Sequence, residues 1–202
     1  GDVNLTGGFG LREYAKIGHG GFQSAVNVNG FANTQIDGDL TVYSGGSINL
    51  QGNSSQNEDA DYNQIQHNWV QIGHGAMQRD QTIDSDITVA ATVDISLKSG
   101  AGLRDAYTHI GHGGFLQTDA NITGVVDVTA GRDVLLENTD FNNFVINIST
   151  NNYSKIGHGD TTSARNNSTG TWNGDIYVKA GRDVHSIGGM IGHADPDNGA
   201  NL

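Results

Sequence analysis

The 202-residue chain has no cysteine, one proline and few charges. Without cysteine there is neither a disulfide framework nor thiolate chemistry. Charged residues make up 16% of the chain, and Lys and Arg together number only 10 against 22 Asp and Glu, a formal charge of −12. That balance excludes nucleic acid as a partner, since phosphate binding needs clustered Lys and Arg. It also argues against adsorption to an anionic membrane. Hydrophobic residues reach 35% but form no long run, which excludes an apolar helical span and membrane insertion. The nucleophile-elbow, P-loop and His-Glu-x-x-His patterns are absent. No stretch repeats apolar residues at i, i+3 and i+4 over two turns, so amphipathic helices are not expected. The scarcity of proline and the wealth of Val, Ile and Thr argue against disorder.

What the chain has is repetition. The phrase Ile-Gly-His recurs at Ile17-Gly18-His19, Ile72-Gly73-His74, Ile110-Gly111-His112, Ile156-Gly157-His158 and Ile191-Gly192-His193. Three residues before the Ile stand Tyr14, Trp69, Tyr107 and Tyr153, with Gly188 in the fifth copy. Two more phrases accompany it. One holds Leu40/Val42, Ile87/Val89, Val126/Val128 and Ile176/Val178; the other holds Ile48/Leu50, Ile95/Leu97, Val134/Leu136 and Val184. The first apolar residues of the two phrases are eight residues apart in all four copies. Apolar residues alternate within each phrase, the period-2 mark of a strand with one buried face. Between the phrases lie Ser44-Gly45-Gly46, Ala130-Gly131-Arg132 and Ala180-Gly181-Arg182, glycines that suit a turn needing positive φ. Asp94, Asp133 and Asp183 follow, where a short carboxylate bonds nearby backbone N–H groups.

Elsewhere the length varies. Long polar runs separate Leu50 from Trp69 and Leu136 from Tyr153, while the run after Leu97 is short. Constant strands joined by variable loops are the pattern of a solenoid whose insertions project from one corner. Residues 1–202 therefore read as one all-β solenoid segment of four to five repeats. Asp2-Val3-Asn4-Leu5 matches the second phrase, so the chain begins inside a repeat and is expected to belong to a longer protein. Spacing leaves open whether a repeat is one circuit or two.

The stretches Val128-Thr129-Ala130-Gly131-Arg132-Asp133-Val134 and Val178-Lys179-Ala180-Gly181-Arg182-Asp183-Val184 resemble the repeats of filamentous-haemagglutinin-like exoproteins. The Tyr-x-x-Ile-Gly-His-Gly-Gly phrase is similar to a repeat in giant exoproteins of the same type. The resemblance implies a right-handed parallel β-helix, two-partner secretion and a place at the bacterial cell surface or outside the cell. It also implies adhesion, with no cofactor and no catalytic residues. Expected partners are neighbouring coils, further copies joined end to end into fibres, and cell-surface glycans. The alternative is a carbohydrate-active β-helix enzyme, a polysaccharide lyase or glycosidase.

Three sets of residues are candidates for chemistry. The histidines, inward by alternation with Ile, are expected to stack as a structural ladder in a three-strand coil. A metal column and a pH-sensitive stack are the other readings. The intervening Lys16, Gln71, His109 and Lys155 are expected to face water. The aromatics either stack for stability or form an exposed platform for sugar rings; strict alternation places them with the polar positions. A glycosidase needs paired carboxyls at unique positions, whereas Asp39, Asp86 and Asp175 recur at repeat turns. Glu58-Asp59-Ala60-Asp61 and Asp195-Pro196-Asp197-Asn198 read as solvated loops, with weak Ca²⁺ binding as the alternative.

Overall fold

The computed structural model describes residues 1–8, 13–20, 34–52, 68–75, 81–100, 106–113, 120–139, 152–159 and 171–193. The two acidic loops fall outside them. The chain opens with β1 (Val3–Thr6), β2 (Ala15–Ile17), β3 (Thr34–Asp37) and β4 (Leu40–Ser44). It repeats the series as β5 (Ile48–Gln51), β6 (Val70–Ile72), β7 (Gln81–Asp84) and β8 (Ile87–Ala91). Next come β9 (Ile95–Lys98), β10 (Thr108–Ile110), β11 (Asn121–Thr123) and β12 (Val126–Ala130). The fourth series is β13 (Asp133–Glu137), β14 (Ser154–Ile156), β15 (Thr171–Asn173) and β16 (Ile176–Ala180), followed by β17 (Asp183–Ile187) and β18 (Met190–Ile191).

Each strand pairs in parallel with the strand four places further along. The chain thus visits four parallel sheets in a fixed order: sheet 1 (β1-β5-β9-β13-β17), sheet 2 (β2-β6-β10-β14-β18), sheet 3 (β3-β7-β11-β15) and sheet 4 (β4-β8-β12-β16). Ile17, Ile72, Ile110, Ile156 and Ile191 are in register across sheet 2, so one Ile-Gly-His phrase marks one circuit.

A circuit has four strands, not three. The strand missed by periodicity is that of sheet 3, where each segment carries one central apolar residue: Ile36, Ile83, Ile122 or Trp172. One apolar residue among polar neighbours has no period to detect. Sheets 3, 4 and 1 form the constant block, joined by two residues at 38–39, 85–86, 124–125 and 174–175. Length varies on both sides of sheet 2 rather than at one corner. The connection from sheet 1 to sheet 2 spans 52–69 in one circuit and 188–189 in another; that from sheet 2 to sheet 3 spans 18–33 or only 73–80.

Inward residues of sheets 1, 2 and 4 make the core. Its columns include Ile48/Ile95/Val134, Leu50/Leu97/Leu136, Val42/Val89/Val128 and Ile72/Ile110/Ile156, all buried. Like residues on in-register parallel strands bury one another's apolar area along the stack. The corner between sheets 4 and 1 narrows to Ser44, Ala91 and Ala130. Gly131 stands there for closeness, not for positive φ: a Cβ on it would lie 2.0 Å from the Thr92 carbonyl oxygen, and one on Gly181 2.1 Å from that of Gly131.

Candidate functional site: side-chain columns at sheet 2

The five histidines form a continuous column. Adjacent ring centroids are 4.9, 5.1, 5.0 and 4.9 Å apart. The main-chain N–H of His19 donates to Nδ1 of His74 (3.0 Å), that of His74 to His112 (3.0 Å), that of His112 to His158 (3.1 Å) and that of His158 to His193 (3.1 Å). A ring nitrogen that accepts carries no proton, which puts the single ring proton on Nε2. From there His74 donates to the Gly38 carbonyl (3.0 Å), His112 to Ser85 (2.8 Å), His158 to Gly124 (2.9 Å) and His193 to Gly174 (2.9 Å). Each ring therefore ties together two corners of the preceding circuit, the Ile-Gly-His corner and the turn between sheets 3 and 4.

This geometry needs neutral imidazoles. Burial pulls His112 down to about 3 and His158 to about 4, and it lowers His74 as well. Neighbouring imidazoles of the column push in the same direction, while the carbonyl contacts oppose it. In His74, His112 and His158 both ring nitrogens are engaged by backbone groups, so a metal ion would have to displace two hydrogen bonds per ring.

The expectation that Lys16, Gln71, His109 and Lys155 face water is overturned. Gln71, His109 and Lys155 are 1%, 0% and 0% exposed, and Lys16 is half-buried. Register sets the four side by side in sheet 2. All are nitrogen donors with reach, and all serve carbonyls of the glycine corner. Lys16 donates to Gly75, and Gln71 to Gly111 (2.8 Å) and Gly113 (2.6 Å). His109 Nε2 reaches Gly157 (2.5 Å), and Lys155 donates to His158 (2.7 Å) and Gly159 (2.8 Å). Corner carbonyls shut off from water need such donors. Desolvation brings the Lys16 ammonium down to about 7 and holds His109 well below the usual imidazole range. The signal was in the sequence: a column holding only donors, in a chain rich in acidic acceptors.

The requirement for a donor, rather than for a charge, is testable. Lys155→Gln is expected to stay within about 1 kcal/mol of the parent, because Gln71 already serves two carbonyls from the same column. Lys155→Met leaves carbonyls unpaired and should cost about 1–3 kcal/mol in urea unfolding.

The aromatics also contradict strict alternation. Trp69, Tyr107 and Tyr153 are 1%, 0% and 8% exposed, and only Tyr14, in the first circuit, is open at 39%. Their rings stack nearly parallel at 4.5, 5.9 and 4.8 Å, which is the stabilising reading and not the sugar platform. These residues precede the strands of sheet 2, so the period of the strand does not govern them. Beside them, Asn68 accepts the Glu13 N–H (3.0 Å) and Asn152 that of Ala106 (2.8 Å).

The recurring carboxylates serve the next circuit rather than their own turn. Asp2 accepts the Ser47 N–H (2.8 Å), Asp39 that of Asp86 (3.1 Å), Asp86 that of Val125 (2.7 Å) and Asp94 that of Asp133 (3.2 Å). Arg132 grips Asp94 with two nitrogens, Nε at 2.7 Å, and Arg182 grips Asp133 likewise, Nε at 2.8 Å. The Arg partner holds each of these two carboxyls below its ordinary range. Both pairs lie in solvent, where screening leaves them mainly a register function.

No protein-family model matches the chain, and no curated protein or solved structure matches it. Its own geometry defines it as an all-β protein of parallel sheets. The repeated polar side chains described at sheet 2 and at the turns bind backbone groups of neighbouring circuits.

Proposed function

We propose that this chain is a segment of a right-handed parallel β-helix, part of a large bacterial exoprotein of the filamentous-haemagglutinin-like kind. In this reading it forms a stiff rod at the cell surface or outside the cell. The rod displays variable segments for attachment to surfaces such as glycans and joins copies of itself into fibres. One observation carries it: five kinds of side chain, His, Lys or Gln, aromatic, Asp and Arg, recur in columns and are committed to backbone or ring contacts between circuits. A carbohydrate-active enzyme needs carboxylates at unique positions in a groove; Asp39, Asp86, Asp94 and Asp133 are instead repeated and engaged.

The variable connections flank sheet 2 on both sides, which is where adhesive variation is placed. Proteinase K digestion of the native chain is expected to cut between sheets 1 and 2 and between sheets 2 and 3. The blocks carrying sheets 3, 4 and 1 should survive intact. Early cleavage within 34–51, 81–98 or 120–137 is incompatible with a rod. Binding of the intact fragment to a glycan array or to cells tests adhesion, and release of reducing ends from polysaccharide would replace it with the enzyme.

A further inference from the structure

We propose that the histidine column is an acid release: proton uptake at Nδ1 of the buried imidazoles unfastens successive circuits at the Ile-Gly-His corner. The argument is geometric. In His74, His112 and His158 the Nδ1 atom accepts a main-chain N–H while Nε2–H donates to a carbonyl. A proton added at Nδ1 converts that acceptor into a donor pointed at another donor. The carbonyl contact gains nothing that offsets the loss, because Nε2 already donates. The broken contact joins one circuit to the next, so protonation acts on the stacking interface itself.

The surroundings give the added charge little help. Within the column each ring faces other imidazoles about 5 Å away. From sheet 2, Lys16 bears on His74 and His112, and Lys155 bears on His158 and His109. From the turn between sheets 3 and 4 come the neutral carbonyls of Gly38, Ser85 and Gly124, and one carboxylate, Asp86, which bears on His158. Only that carboxylate favours a cation. His109 adds a further buried imidazole, held on the Gly157 carbonyl and pressed by Lys155.

The direction follows from linkage. These groups titrate near 6.5 in the unfolded chain and lower in the fold, so the unfolded state binds more protons as pH falls. Their stabilisation is complete above about pH 6.5. It drains away between about 6.5 and the folded values near 3 to 4. At pH 5 each fully neutral histidine shifts the folding equilibrium about thirtyfold toward the unfolded chain, and two together about a thousandfold. Lys16, with its folded value near 7, is charged throughout that range and adds repulsion.

Two measurements test the device. In the folded protein, NMR titration of the imidazole Cε1–H signals should leave His112 and His158 unshifted from pH 7.5 to 5; midpoints near 6.5 overturn the proposal. Unfolding equilibria over the same range should show extra proton uptake on unfolding. A His112→Asn/His158→Asn variant keeps an acceptor for the N–H but cannot titrate, so it should be less stable at pH 7.5 with a flatter pH slope. An unchanged slope in the variant would assign the acid response to the carboxylates and refute the histidine release. Should the variant fail to fold, the NMR titration of the parent chain still decides the matter.

Discussion

Gly157→Ala is expected to destabilise the chain by at least about 3 kcal/mol, read as a drop in the urea midpoint. Gly157 has φ +135, which costs an L residue about 1–2 kcal/mol. The larger obstacle is steric: a Cβ there would lie 2.2 Å from the Gly192 carbonyl oxygen and 2.9 Å from Ile176 Cδ1. The carbonyl belongs to the next circuit's backbone and cannot rotate away. The circuits must separate, and overpacking of that kind costs typically 1–3 kcal/mol. The Gly157 N–H also donates to the Ile110 carbonyl at 2.9 Å, so movement endangers the pairing on the other side. A neutral result would mean that the corner has slack, and the tight stack described here would be wrong.

Tyr107→Ala should cost about 3–5 kcal/mol, the range for removing a buried aromatic from a packed interior. Tyr107 is fully buried between Trp69 and Tyr153, with ring separations of 5.9 and 4.8 Å. Its loss removes two stacking contacts and leaves a gap that neighbouring circuits cannot close, because their spacing is fixed by backbone pairing. Emission of the adjacent Trp69 should shift to the red as water gains access. An exposed platform residue would instead tolerate alanine with less than about 0.5 kcal/mol of change.

Sheets 1 and 4 were legible in the sequence because alternation and an eight-residue spacing reinforce each other. The pairing Leu40–Ile87–Val126–Ile176 followed from that spacing alone, and register confirms it. Sheet 2 was legible through Ile-Gly-His, since a repeated phrase fixes which residues are neighbours. What its side chains touch was not. Alternation predicts which way Lys155 points but says nothing of a chain that turns back over it at His158 and Gly159. Sheet 3 was missed because Asn121-Ile122-Thr123 and Thr171-Trp172-Asn173 carry too little pattern. The aromatics were ambiguous since Tyr107 precedes its strand, where no period applies. Likewise, Arg132 and Asp94 lie far apart in sequence, so their pairing became visible only when the circuits were stacked.

The constant block from sheet 3 through sheet 1 has a consequence for how such a chain changes length. Ile48 and Ile95 occupy the same place in successive circuits, so excising residues 48–94 joins Ser47 to Ile95 in frame with the stack. His19 would then meet His112, and Tyr14 would meet Tyr107, each finding the group its former neighbour supplied. Because circuits recognise one another through backbone N–H and carbonyl groups, every circuit is a valid neighbour for most others. Duplication or loss of whole periods in the gene would lengthen or shorten the product without inventing a new interface.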